Sequence, residues 1–221
     1  MWAPVLLFSI VAHEYAHAEA AYRQGDDTAY MLGRLTLNPL KHIDPFMTVL
    51  LPVILWVSHA GFMFGAAKPV PVNPRKYRRF VRGDVIVSLA GIAVNLALFV
   101  VAAVLFAAAG LVASALPSLS GSLGILQRMM SYGMQWNLVL AFFNLIPLPP
   151  LDGSHVFYHL LPPAAGLRYR QFYALGMVPL MLVIWLAPVL LTPFLWPARQ
   201  LLQLGWALVG AYALPGSQPA L

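Results

Sequence analysis

Six long apolar stretches run along this chain, at about residues 2–22, 46–67, 85–116, 130–161, 172–191 and 194–214. Each supplies the ~20 apolar residues that a helix needs to cross a bilayer core. Composition excludes the alternative of a large soluble core: 61% of the 221 residues are apolar and 9% are charged, against roughly half and a quarter in soluble domains. A membrane leaves every backbone polar group to be satisfied within its own segment, which restricts the chain to helices or a closed barrel. A barrel needs short alternating strands, and the unbroken apolar runs exclude them. The expected fold is an all-α polytopic membrane protein with about five to six transmembrane helices. A re-entrant segment and a short extended, β-like, membrane-associated stretch complete it. No repeat or composition shift divides the chain, so one domain is expected over 1–221, with a core at about 1–162 and accessory helices at about 170–214.

The formal charge of +6 does not point to nucleic acid, because the basic residues flank apolar spans as the positive-inside rule requires. The absence of cysteine removes disulfides, thiolate zinc sites and cysteine nucleophiles. A tightly held metal must therefore use histidine and carboxylate. The first apolar stretch carries His13, Glu14 and His17 and has no basic residue before it, unlike a signal peptide.

Two stretches depart from regular helix. Lys68-Pro-Val-Pro-Val-Asn-Pro74 has proline at near-alternate positions, which enforces extended chain. Asn144-Leu-Ile-Pro-Leu-Pro-Pro-Leu-Asp-Gly153 interrupts an apolar span. Non-helical backbone at membrane depth persists only when buried in protein or lining a cavity, so this second stretch is expected to form a site wall.

His13-Glu14-Tyr15-Ala16-His17 places two imidazoles at i and i+4 on one helix face, where both reach a single Zn²⁺. A zinc ion held there lowers the pKa of a bound water towards 7, and Glu14 is placed to take its proton. Ionisable groups inside an apolar span are functional by default. Catalytic zinc takes three protein ligands. Of the seven acidic residues, Asp152 alone lies deep within a later span, making it the expected third ligand. Asp152 also suits a helix N-cap after Pro-Pro-Leu. His155 and His159, at i+3 and i+7 from Asp152, form an alternative ligand set, line the cavity or sit near the interface.

These two motifs together resemble the site-2 protease family of intramembrane zinc metalloproteases (peptidase family M50), in its short bacterial-type form without PDZ or CBS domains. Gly33-Arg-Leu-Thr-Leu-Asn-Pro39, His42-Ile-Asp-Pro45 and the 68–74 stretch share the likeness, which covers about residues 8–162. The resemblance implies that His13, His17 and Asp152 bind one Zn²⁺ per chain and that Glu14 is the catalytic base. It implies that Asn144 holds the substrate backbone, and that the 68–74 stretch, through Val70 and Val72, docks substrate as an added strand. The family's Ala-Gly-Pro-x-x-Asn pattern reads here Ala90-Gly-Ile-Ala-Val-Asn95. Ile92 in place of proline leaves a substrate-binding role for Asn95 open beside a helix–helix hydrogen bond.

Charge fixes an expected topology. Six full crossings would split the thirteen basic residues five to eight, whereas a re-entrant 46–67 stretch splits them eleven to two, a strong positive-inside bias. Depth agrees. His17 lies six residues before Arg23, ~9 Å at 1.5 Å per residue, and Asp152 lies nine before Leu161, ~13 Å at the same rise. The two match only if both helix ends face one side. The expected function is cleavage of peptide bonds within or near transmembrane segments, in a multi-pass cell-membrane protein whose site opens towards the cytoplasm. Its partners are a membrane-protein substrate and the bilayer, with no nucleic acid; the sequence leaves oligomeric state open. A transporter or metal-binding channel shares the broken helix and buried acid but needs no base beside its ligands. An inactive scaffold would not fill every catalytic position.

Overall fold

The computed structural model describes residues 1–59 and 67–217. Among these the chain forms nine α-helices joined by short 3₁₀ and π turns, with no strand. Contacts divide it into two compact units: residues 10–91, and residues 1–9 with 92–221.

The 10–91 unit begins within helix α1 (Trp2–Gln24). This helix ends where Gly25 takes φ +109, a left-handed turn that glycine adopts without penalty. The Gly25 and Asp26 amides donate to the Tyr22 and Ala21 carbonyls, the bond pattern of a Schellman C-cap. Helix α2 (Thr28–Met31) follows, then a π turn (Pro45–Leu50) and α3 (Leu51–Val57). Part of the expected re-entrant 46–67 stretch, residues 60–66, lies outside the described residues. Residues 68–73 are extended without pairing as a strand, because Pro69 and Pro71 have no N–H to offer a ladder. Side chains and turns bind the rest of this strap. The Lys68 amide donates to the His42 carbonyl (2.9 Å), and Arg34 Nη2 donates to the Lys68 carbonyl (2.9 Å). At the far end, the Asn73 amide donates to the fully buried Asp26. Val70 packs with Ala18 and Ala29, and Tyr77 packs with Ala21 and Val87. Burial pushes the Tyr77 phenol well above its ordinary range, as removal from water disfavours the phenolate.

Helix α4 (Phe80–Ala115) contributes its first turns to this unit and the remainder to the other. At 36 residues it is roughly 54 Å long. It is the one described helix both long and apolar enough to cross a membrane by itself. The 92–221 portion continues with α5 (Ser120–Asn144), α6 (Asp152–Leu160), α7 (Pro163–Gln171), α8 (Val178–Leu186) and α9 (Thr192–Val209). Its main core joins Ala102 and Phe106 of α4 to Met134 of α5 and Val209 of α9. Phe106 meets Trp206 edge-on at 5.3 Å. The buried Gln127 fastens the far end, donating to the Phe106 and Tyr212 carbonyls and accepting from the Leu214 amide. A second core gathers Ile146, Leu151 and Leu180 and seats the proline-broken stretch.

Two features of this portion depart from the apolar pattern. Residues 117–128, which fall between the apolar stretches, are helical: Pro117–Leu119 makes a 3₁₀ turn and α5 starts at Ser120. The 172–191 stretch is not one helix. Residues 163–175 and α8 meet at 85° at a break where Gly176 takes φ +54, and beyond α8 the chain passes into a 3₁₀ turn at Pro188. Counted as one broken span, this pair is the second candidate crossing.

Candidate metal centre

His13 and His17 lie four residues apart on α1 and both are buried, at 6% and 8% exposure. Their rings meet edge-on, 4.6 Å between centroids, and their Nε2 atoms stand 3.0 Å apart. Two nitrogens bound to a tetrahedral zinc at 2.0–2.1 Å would stand roughly 3.3 Å apart. The second nitrogen of His17 has its own partner, Nδ1 lying 2.7 Å from the Val87 carbonyl of α4. A carbonyl can only accept, so Nδ1 carries the hydrogen and Nε2 keeps its lone pair, as for a metal-ligating imidazole. The donors fit zinc: borderline imidazole nitrogens, a fixed tautomer and an adjacent carboxylate, with no thiolate anywhere in the chain.

Gly91 closes the site from α4. A Cβ there would fall 2.5–2.6 Å from His13 Cε1, His13 Nδ1 and His17 Nε2, inside any tolerable contact. The backbone of α4 therefore lies directly against both imidazoles. Sequence reasoning quoted Gly91 only as part of a family pattern and missed this role, along with the Val87 carbonyl. The one sequence signal was the small-residue pair Ala90-Gly91 facing nothing that periodicity could name.

Glu14, half-buried beside the histidines, accepts the Val70 amide hydrogen at 2.7 Å through Oε2. The strap thus orients the carboxylate. This changes the reading of Val70: its N–H is engaged, and its side chain is buried at 7% in the core, while Val72 is exposed at 36%.

Asp152 is the first residue of α6, with Leu151 at the N-cap in extended conformation. The backbone is packed tightly at this point, since a Cβ on Gly153 would lie 2.1 Å from the Leu145 carbonyl oxygen. Ser154 is buried and its hydroxyl lies 2.7 Å from the Tyr173 hydroxyl. His155 stacks edge-on with Tyr173 and His159 with Tyr158. Asn144 ends α5 and donates to the Leu140 carbonyl of its own helix.

Asn95 is fully buried and its amide donates to Asn137 Oδ1 (2.9 Å) and to the Ser9 carbonyl (3.3 Å). That geometry supports a helix–helix hydrogen bond. Asn95→Ala is expected to lower unfolding stability by ~0.6–2 kcal/mol, the range for such bonds in membranes, while leaving KM unchanged. A raised KM with unchanged stability would instead place Asn95 against substrate.

Over residues 1–187 the chain matches the family model Peptidase family M50. It is 41% identical over 192 residues to "Putative zinc metalloprotease YwhC" of Bacillus subtilis, covering 87% of this chain and 82% of that one. It is 38% identical over 149 residues to "Putative zinc metalloprotease Rip2" of Mycolicibacterium smegmatis, covering 66% of this chain and 52% of the relative. With the Mycobacterium tuberculosis protein of the same name it shares 31% over 185 residues, 83% of this chain and 66% of the relative. No solved structure matches. These matches define a zinc metalloprotease of a membrane-protein family, and the two-histidine helix offers donors that could hold its metal. The chain belongs to peptidase family M50.

Proposed function

We propose that this protein is an intramembrane zinc endopeptidase that hydrolyses peptide bonds within or near transmembrane segments of other membrane proteins. The observation that carries the reading is the convergence of His13 and His17 Nε2 beside Glu14, buried on a helix of a chain this apolar. His13, His17 and Asp152 are the residues that would hold the ion, one per chain, with Asp152 supplied by the proline-broken stretch. Zinc held by these residues would supply Lewis-acid chemistry to the scissile carbonyl and the attacking water. Glu14 takes the proton from that water and passes it to the leaving amine. The Val70 amide keeps the carboxylate aimed, and Gly91 and the Val87 carbonyl hold the imidazoles in register.

A helical substrate must unwind before its carbonyl is exposed. The exposed Val72 side of the strap is where an unwound segment would dock, with Asn144 holding its backbone. The prolines and the engaged amides of Lys68 and Val70 limit that pairing to a few bonds. The chain forms one protease domain of about five to six transmembrane helices with a re-entrant segment, and its site opens to the cytoplasmic side. Single cysteines placed in the 25–44 and 68–82 segments of this cysteine-free chain should both react with an impermeant reagent from the same face. Labelling from opposite faces would rule this topology out.

A further inference from the structure

Five basic residues fall within eight positions at the entry to α4: Arg75, Lys76, Arg78, Arg79 and Arg82, with no acid among them. All five are exposed. The acidic groups that face this region are already engaged. Asp26 is buried and holds Thr28 and Asn73, Asp27 pairs with Lys76, Glu19 pairs with Arg23, and Asp84 is buried. Lys76 holds the Asp27 carboxyl below its ordinary range. The four arginines form no ion pair among the described residues. The surface is built rather than trailing, because the Arg78 amide donates to the Gln24 carbonyl at the end of α1 (2.9 Å).

Apolar groups border these charges. Phe80 and Val81 are 42% and 54% exposed on the first turn of α4, where the one self-sufficient span among the described residues begins. In the same unit Tyr22 and Tyr30 are exposed, their rings 5.5 Å apart, amphipathic side chains of the kind that sit at headgroup level. An acidic protein partner would explain the charge but not this apolar border. A lipid headgroup explains both. Guanidinium groups bind phosphate oxygens in pairs, and a basic cluster beside a membrane span is the arrangement that attracts anionic lipid.

We propose that Arg75, Arg78, Arg79 and Arg82 form a binding surface for anionic phospholipid headgroups, with Phe80 and Val81 inserted at the acyl boundary. This goes beyond the protease reading and does not rest on it, since neither zinc nor catalysis enters.

The chain has no cysteine, so Val81→Cys accepts a single fluorophore next to the surface. The full-length protein is placed in nanodiscs of phosphatidylcholine, and doxyl-labelled phosphatidylglycerol or phosphatidylcholine is titrated in as quencher. The expected result is preferential quenching by phosphatidylglycerol, weakening with added salt and falling about tenfold or more in the R75Q/R78Q/R79Q/R82Q variant, given on the order of fivefold per charge. Should that variant not fold, the salt titration of the Val81→Cys protein decides alone. Equal quenching by the two lipids overturns the proposal, as does a preference indifferent to salt or surviving in the quadruple variant. Binding of a soluble glutamate-rich peptide without any lipid preference overturns it in favour of a protein partner.

Discussion

Glu14→Gln will retain zinc and lose cleavage by about 10²–10⁴-fold, the contribution of a positioned general base. Glutamine is the right probe because of the strap. Glu14 Oε2 accepts the Val70 amide hydrogen at 2.7 Å, and a glutamine side-chain oxygen can accept the same bond. The substitution therefore removes the base while leaving the half-buried geometry intact. Alanine would also leave the Val70 amide unpaired near the site, at a cost of about 1–3 kcal/mol, and so mix two effects. Metal analysis together with turnover number separates the outcomes. A Glu14→Gln protein that keeps zinc and cuts at the normal rate would remove Glu14 from the mechanism.

Gly91→Ala is expected to be nearly as damaging, through the metal instead of the base. The added methyl would lie 2.5–2.6 Å from atoms of both imidazoles. Neither ring can retreat easily: His17 is fixed by the Val87 carbonyl, and both rings are buried. Zinc affinity should fall about 10–100-fold, the usual effect of disturbing groups that orient metal ligands, with overpacking adding about 1–3 kcal/mol of destabilisation. Gly121→Ala and Gly124→Ala are the controls, because a methyl at either position on α5 meets nothing within 4 Å. Competition with a chromogenic chelator reads the affinities, and a Gly91→Ala protein with unaltered zinc affinity would mean that α4 does not press on the site.

Much of the candidate site was legible because its chemistry is local. An i, i+4 histidine pair with an intervening glutamate is a complete instruction on one helix, and the structure keeps it there with both Nε2 atoms converging. The proline-broken 144–153 stretch was legible too, since proline forbids the helix interior whatever surrounds it. What the sequence did not reveal is tertiary. Gly91 and the Val87 carbonyl matter only through their placement against the imidazoles. The side chain of Asn95 reads equally as a substrate contact or a helix tie until Asn137 is found 2.9 Å away.

Helix boundaries failed for a related reason. Apolar runs set where a chain can enter lipid, but α5 begins ten residues before its run because Ser120, Gly121 and Ser122 do not stop a helix already started at Pro117. The expected 172–191 span broke at Gly176, a residue the apolar average absorbs without trace. Hydropathy also recovers α4 better than α1, since α1 carries the polar groups of the site. A helix that lines a catalytic centre loses the very apolarity by which membrane helices are recognised.

The most direct test is cleavage of a single-span membrane substrate by the purified protein in bilayer nanodiscs, before and after removal of zinc by a chelator. Cleavage within or near the substrate's apolar segment, abolished by the chelator and restored by about one equivalent of zinc, is the predicted result. Undiminished cleavage by the metal-free protein would contradict it.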